Sequence, residues 1–169
     1  MRDRTSLLAT SAFVLSLLFA APAAAQDRPS PILEAAGGYA GFIDESMINH
    51  AIAGASARAY VTRRIAIGPE VTFMRGPGVD RDWFLTGNAT IDLRTDRDRR
   101  PRVVPYIVAS AGVFWNTNAV GTGLYTARSG AVAGGIGARI NAGNRWFIAP
   151  EVRIGFEPVL RLGVAIGIR

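Results

Sequence analysis

The stretch "WFIAPEVRIGFEPVLRLGVAIGI", Trp146 to Ile168, alternates with a period of two. Trp146, Ile148, Pro150, Val152, Ile154 and Phe156 share one side. Phe147, Ala149, Glu151, Arg153 and Gly155 share the other. After "EP" the pattern resumes, with Leu160, Leu162, Val164, Ile166 and Ile168 opposed by Arg161, Gly163, Ala165 and Gly167. Strict alternation of this kind is the signature of a β-strand with two unlike faces. Here the apolar face carries no charge, and the face that carries charge is also rich in Gly and Ala. A soluble barrel buries its bulky aliphatic residues and turns charge outward. A narrow lumen filled by side chains selects small and paired polar residues, leaving the aliphatic face to meet lipid.

Working outward, segments of the same character fall at about 32–43, 50–62, 64–74, 83–95, 103–116, 126–140, 145–156 and 159–168. Between them stand turn-forming clusters: "DESMIN", "RGPGVDRD", "TDRDRRPR", "NTNAVGTG", "NAGN" and "EP". An even count of strands, each long enough to cross a bilayer, predicts an all-β chain: an eight-stranded antiparallel up-and-down transmembrane β-barrel. It is preceded by "MRDRTSLLATSAFVLSLLFAAPAAAQ", whose arginines, short apolar run and Ala-x-Ala ending predict a signal peptide cleaved after Ala25. The expected organisation is therefore residues 1–25 as signal peptide and 26–169 as barrel. There is no cysteine, hence no disulfide framework and no thiolate metal site. All 19 basic residues are arginine, and the formal net charge is +6. An exported chain with no basic helix does not read as a nucleic-acid binder.

Two strands carry proline in mid-run, each followed by glutamate: "IAIGPEVTF" (Ile65–Phe73) and "FIAPEVRIGF" (Phe147–Phe156). They belong to a repeated hairpin, in which Gly54, Ala57, Arg58, Arg64, Ile67, Pro69, Glu70 and Val71 recur as Gly135, Ala138, Arg139, Arg145, Ile148, Pro150, Glu151 and Val152. Both prolines fall on the lipid-facing register. Proline cannot donate to a ladder, so a β-bulge or a locally widened ladder is expected at each. The following glutamate then points inward. Buried carboxylates need partners, and the inward register supplies a charge network of Glu34, Arg58, Glu70, Asp92, Arg139, Glu151, Arg153 and Arg161. Arg58 and Arg139 are the expected partners of the two glutamates. Membrane barrels also place aromatics at the two interfaces. Trp83, Trp115, Phe73, Tyr125 and Phe156, with Phe42, are expected at one end, and Trp146 at the other.

The signal peptide, the alternating segments, the "GPEV" and "APEV" strands and the closing "RLGVAIGIR" together resemble the small outer-membrane β-barrel family typified by the OmpA transmembrane domain and OmpX. The resemblance implies residence in the outer membrane of a Gram-negative-type bacterium. It implies contact with outer-membrane lipid and lipopolysaccharide, and biogenesis through periplasmic chaperones and the barrel-assembly machinery. It further implies a monomer with no cofactor and a structural or interaction role in the envelope. The chain departs from the family at Ile168–Arg169, where such barrels usually end in an aromatic residue. The insertion signal then rests on Phe156 and the apolar register, or lies beyond Arg169.

Catalysis finds little support. The single histidine, His50, stands near Ser46, Asp44 and Glu45 at an expected loop–strand junction, where nothing rigid would hold a catalytic constellation. It reads as a polar surface residue, and the chain as a non-enzyme. No metal-ligand spacing appears, and "GGIGAR" lacks the Lys-Ser/Thr ending of a phosphate loop. The charged run Thr95–Arg102 is expected as a periplasmic turn. Two other readings stay open: an outer-membrane lipid-modifying enzyme using His50, and a soluble periplasmic ligand-binding barrel. The last requires Leu162, Val164 and Ile166 to face inward.

Overall fold

A computed structural model describes residues 29–43, 47–93, 101–120 and 123–169. The predicted signal peptide, the neighbours Asp44, Glu45 and Ser46, and residues 95–100 of the charged turn lie outside the described residues. The strands are β1 (Ile32–Ile43), β2 (Met47–Tyr60), β3 (Ile65–Arg75), β4 (Arg81–Asp92), β5 (Val103–Val120), β6 (Gly123–Ala142), β7 (Trp146–Phe156) and β8 (Leu160–Ile168). Each pairs antiparallel with its sequence neighbours, and β1 pairs with β8, so the sheet closes into a barrel. The eight predicted segments are these eight strands. The exception in length is the β5–β6 hairpin, where a loop was expected over 117–124. The two strands instead stay in register to Val120 opposite Gly123, and the hydroxyls of Thr117 and Thr126 face each other across the ladder at 3.2 Å. β-branched threonines at opposed positions favour continued pairing over a turn.

The faces sort as the alternation requires. β4 is alternately exposed and buried along its whole length. Outside stand Leu85, Ile136, Ile154, Leu162, Val164 and Ile166; Ile136 and Ile154 are each 65% exposed. Inside, the largest fully buried side chain is an arginine, Arg139, at 1% exposure. That is the reverse of a soluble barrel. Leu162, Val164 and Ile166 all turn outward, which removes the reading as an apolar-cored ligand binder.

The interior is layered. Nearest the two termini lie Ile32, Tyr60, Ala66, Tyr106, Val108, Phe147 and Ala149. Towards the opposite end lie Ala40, Ile52, Met74, Phe84, Phe114 and Ala131, with Phe42 packed on them. Phe42 was expected at the outer aromatic belt; it points inward, stacking on Phe114 with centroids 5.4 Å apart. Its even position puts it on the same face as Glu34 and Ala40, and period two prevails over its place near a strand end.

At the prolines the ladder lapses without gaining a residue. β2 and β3 pair at Ser56–Glu70 and again at Ala59–Ile67, with the same offset on both sides of the gap. β6 and β7 do likewise at Gly137–Glu151 and Ile140–Ile148. No bulge is inserted, which corrects half of the expectation. Each proline leaves a two-pair break on one flank, while Pro69–Gly87 and Pro150–Val164 remain paired on the other. A residue whose amide is missing on one flank loses pairing on that flank alone.

Candidate functional site

All eight charges predicted for the lumen do face it, and they gather into three groups. In the first, Arg58 Nη2 pairs with Glu34 Oε2, which also accepts from Ser56 Oγ at 2.9 Å. In the second, Arg139 Nη1 meets Asp92 Oδ1 at 2.5 Å and Tyr60 donates to Asp92 Oδ2 at 2.8 Å. The Arg139 guanidinium also lies over the Tyr106 ring, 4.4 Å from its centroid. The third is centred on Glu70, which accepts from Arg153 Nη2 at 2.9 Å, Asn88 Nδ2 at 3.1 Å and Thr72 Oγ1 at 3.1 Å, and pairs with Arg161 through Oε1. Arg153 Nε reaches Glu151 Oε1 at 2.6 Å, and Glu151 Oε2 accepts from Tyr106 at 3.0 Å.

The partners are not those expected. Glu70 and Glu151 were assigned to Arg58 and Arg139; both are instead held by Arg153, and Glu70 also by Arg161. Arg58 turns to Glu34 and Arg139 to Asp92. Alternation fixes which face a side chain takes, but a guanidinium on a long stem reaches across a narrow bore. Arg153 on β7 thus meets Glu70 on β3, halfway around the barrel. Asn88, Tyr60, Thr90, Thr72 and Tyr106 complete the network, and alternation alone does not distinguish them from other inward polar residues. The signal is there in β4, where every even position but Phe84 is polar: Asp82, Thr86, Asn88, Thr90 and Asp92. Gly137, opposite Tyr106 in the ladder, makes room for that ring: a Cβ there would stand 2.4 Å from Tyr106 Cζ. Between Glu34, Arg58, Glu70, Tyr106, Glu151 and Arg161 there remains a cavity of about 20 Å³, room for about one water.

The wall aromatics divide by exposure. Trp83, Tyr125, Phe156 and Trp146 are exposed outward, Trp146 beside Ile168 at the end that holds the termini. Phe73 and Trp115 are half-buried on the same wall. Phe73 lies 4.9 Å from Trp83, which pairs with Trp115 in the ladder.

A second cluster lies at the end opposite the termini. His50 was expected on the surface, but it is 4% exposed, inward on β2, with the Phe42 ring edge-on at 4.7 Å. Because β2 begins at Met47, His50 lies within the strand rather than at its junction, and its even position sets it on the inward register of Ile52, Ser56 and Arg58. Its Nε2 lies 2.8 Å from Asp80 Oδ2 and 3.3 Å from Asp82 Oδ2. Asp82 opens the inward row of β4, and Asp80 ends a turn closed by Gly76 N–H to Asp80 O at 3.1 Å and Asp80 N–H to Pro77 O at 3.2 Å. The sequence offers no spacing motif for this trio, because the pairing of β2 with β3 and β3 with β4 creates it.

No protein-family model matches the chain, and no curated protein matches it. Among solved structures it is similar to the N-terminal β-barrel domain of Pseudomonas aeruginosa OprF. The TM-score is 0.69 at 15% identity, covering 85% of this chain and 98% of that one. It is also similar to Neisserial surface protein A, with TM-score 0.65 at 12% identity over 82% and 95%. A designed transmembrane β-barrel aligns at TM-score 0.52 and 15% identity over 85% and 97%. At these identities the likeness shows the fold, that of the small outer-membrane β-barrels.

Proposed function

We propose that this protein resides in the outer membrane as a small barrel whose lumen is closed by its own ion pairs, with a structural or interaction role in the envelope. The observation that carries the reading is the inverted sorting of side chains. An uncharged aliphatic band covers the wall between exposed aromatics, while Arg139, Arg153, Glu70 and Asp92 are each 5% exposed or less. Only an apolar solvent makes that outward band favourable, and only paired charges are tolerated in so narrow a bore. In this reading residues 1–25 export the chain, periplasmic chaperones and the barrel-assembly machinery insert it, and both termini lie on the periplasmic side. The barrel is a monomer in contact with lipid and lipopolysaccharide, and the ring of Trp83, Trp115, Phe73, Tyr125 and Phe156 marks the outer interface. Catalysis on lipid is not favoured, because His50 faces the lumen mouth rather than the lipid wall.

The test is to refold the protein in detergent and run it on SDS gels unboiled and boiled. A folded species that shifts in mobility only on boiling is expected. A soluble monomer without detergent, with no shift, overturns the reading.

A further inference from the structure

The geometry points to a divalent transition-metal site at the far mouth of the barrel, formed by His50, Asp80 and Asp82. The site is separate from the lumen ion pairs, since Phe84 follows Asp82 on the inward face of β4 and packs with Phe42 and Phe114. The three residues each offer a ligand atom, and these atoms all lie within 4.8 Å of one another.

With both carboxylates ionised, donation from His50 and from Thr117 N–H does not satisfy the cluster. His50 Nε2 carries at most one proton, yet two carboxylate oxygens converge on it, from Asp80 and Asp82. Among the described residues Asp82 Oδ2 has no hydrogen-bond partner although Asp82 is fully buried at 0% exposure, and His50 Nδ1 and Asp80 Oδ1 have none either. Two carboxylates brought together out of water repel, and unsatisfied buried acceptors are costly. One divalent cation removes both problems. Imidazole nitrogen and carboxylate oxygen bind Zn²⁺ at about 2.0–2.2 Å, which places tetrahedral ligand atoms roughly 3.3 Å apart. Nε2 and Asp82 Oδ2 already stand 3.3 Å apart.

The surroundings suit the role. Asp82 Oδ1 accepts from Thr117 N–H at 3.4 Å, and the Phe42 ring flanks the imidazole, so two of the ligands are oriented by their neighbours. Gly76 lies against the third: a Cβ there would come within 2.4 Å of Asp80 Oδ2 and 2.5 Å of His50 Nε2. Any side chain at that position would therefore press on two ligand atoms at once. Asp80 is the partly exposed member, which gives an ion a way in and leaves a position for water. One imidazole with two carboxylates suits Zn²⁺ and its first-row neighbours better than Ca²⁺ or Mg²⁺, which favour oxygen-only shells.

The test uses untagged protein refolded in detergent, stripped with a chelator and titrated with Zn²⁺ while bound metal is counted after dialysis. His50 is the only histidine in the chain, so its imidazole ¹⁵N resonances report the site without ambiguity. One equivalent of Zn²⁺ should bind and move the Nε2 resonance. Asp82→Asn and Gly76→Val should each weaken binding at least tenfold, with the boiling-dependent gel shift confirming that each variant is folded. The proposal is overturned if Zn²⁺ leaves the parent's imidazole resonances unmoved up to millimolar concentration. It is also overturned if folded Asp82→Asn binds as the parent does. The resonance measurement needs no variant, so it decides the matter even where a substitution prevents folding.

Discussion

Arg139→Met is the sharpest probe of the barrel interior. Arg139 and Asp92 are 1% and 3% exposed, so neither charge can turn to bulk water when its partner is lost. Removing one member of a buried, hydrogen-bonded pair costs about 3–5 kcal/mol, because the other charge is left uncompensated. Here Tyr60 still donates to Asp92 Oδ2, which moderates the penalty. The guanidinium's position over Tyr106 is lost as well, a contact of about 0.5–2 kcal/mol. The single variant should therefore lose roughly 3–4 kcal/mol, more than a hundredfold in the ratio of folded to unfolded protein. Asp92→Asn should lose less, because Arg139 keeps Thr90 and Tyr106 as neighbours. The double variant should recover much of the loss, leaving a coupling energy of about 2 kcal/mol. Urea unfolding in lipid vesicles measures this, with fluorescence from the wall residues Trp83, Trp115 and Trp146 as the signal. A cost below about 1 kcal/mol for Arg139→Met, with no coupling to Asp92→Asn, would refute the reasoning. It would mean that water in the lumen solvates both charges and that the bore is not closed by its ion pairs.

Two further outcomes follow from the wall. Arginine at Val164, midway along β8 and 51% exposed, should cost about 2–4 kcal/mol in vesicles, whereas Ile168→Arg at the strand end should cost about 0–1; equal costs in the same urea titration would argue against a bilayer around the barrel. Pro69→Ala and Pro150→Ala restore an amide on the flank where pairing lapses, so the missing pairs should zip closed. Stability should stay within about 1 kcal/mol, and the new amide should resist hydrogen exchange; an amide that exchanges freely would mean that something other than proline holds the ladder open.

The division between what the chain declares and what it withholds follows from the range of each interaction. Period two is local, and the outward face of β7 and β8 is so uniformly aliphatic that strand number, register face and inverted sorting were all legible. It even contained the answer for Phe42, whose parity with Glu34 outweighs the general tendency of aromatics to mark strand ends. Ion-pair partners are a property of the closed barrel. Arg153 reaches Glu70 only because β3 and β7 face each other across a bore narrow enough for one side chain to span. Adjacency in the ladder favours Arg58 and Arg139, and only the closed lumen brings the across-bore partners into reach. The same holds at the mouth. Ser46, Asp44 and Glu45 are near His50 in sequence, while Asp80 and Asp82 approach it through two strand pairings. In a barrel of this size, chemistry on the inner face depends on residues that the sequence keeps apart, so a histidine three residues into a strand is better judged by its register than by its neighbours in the chain.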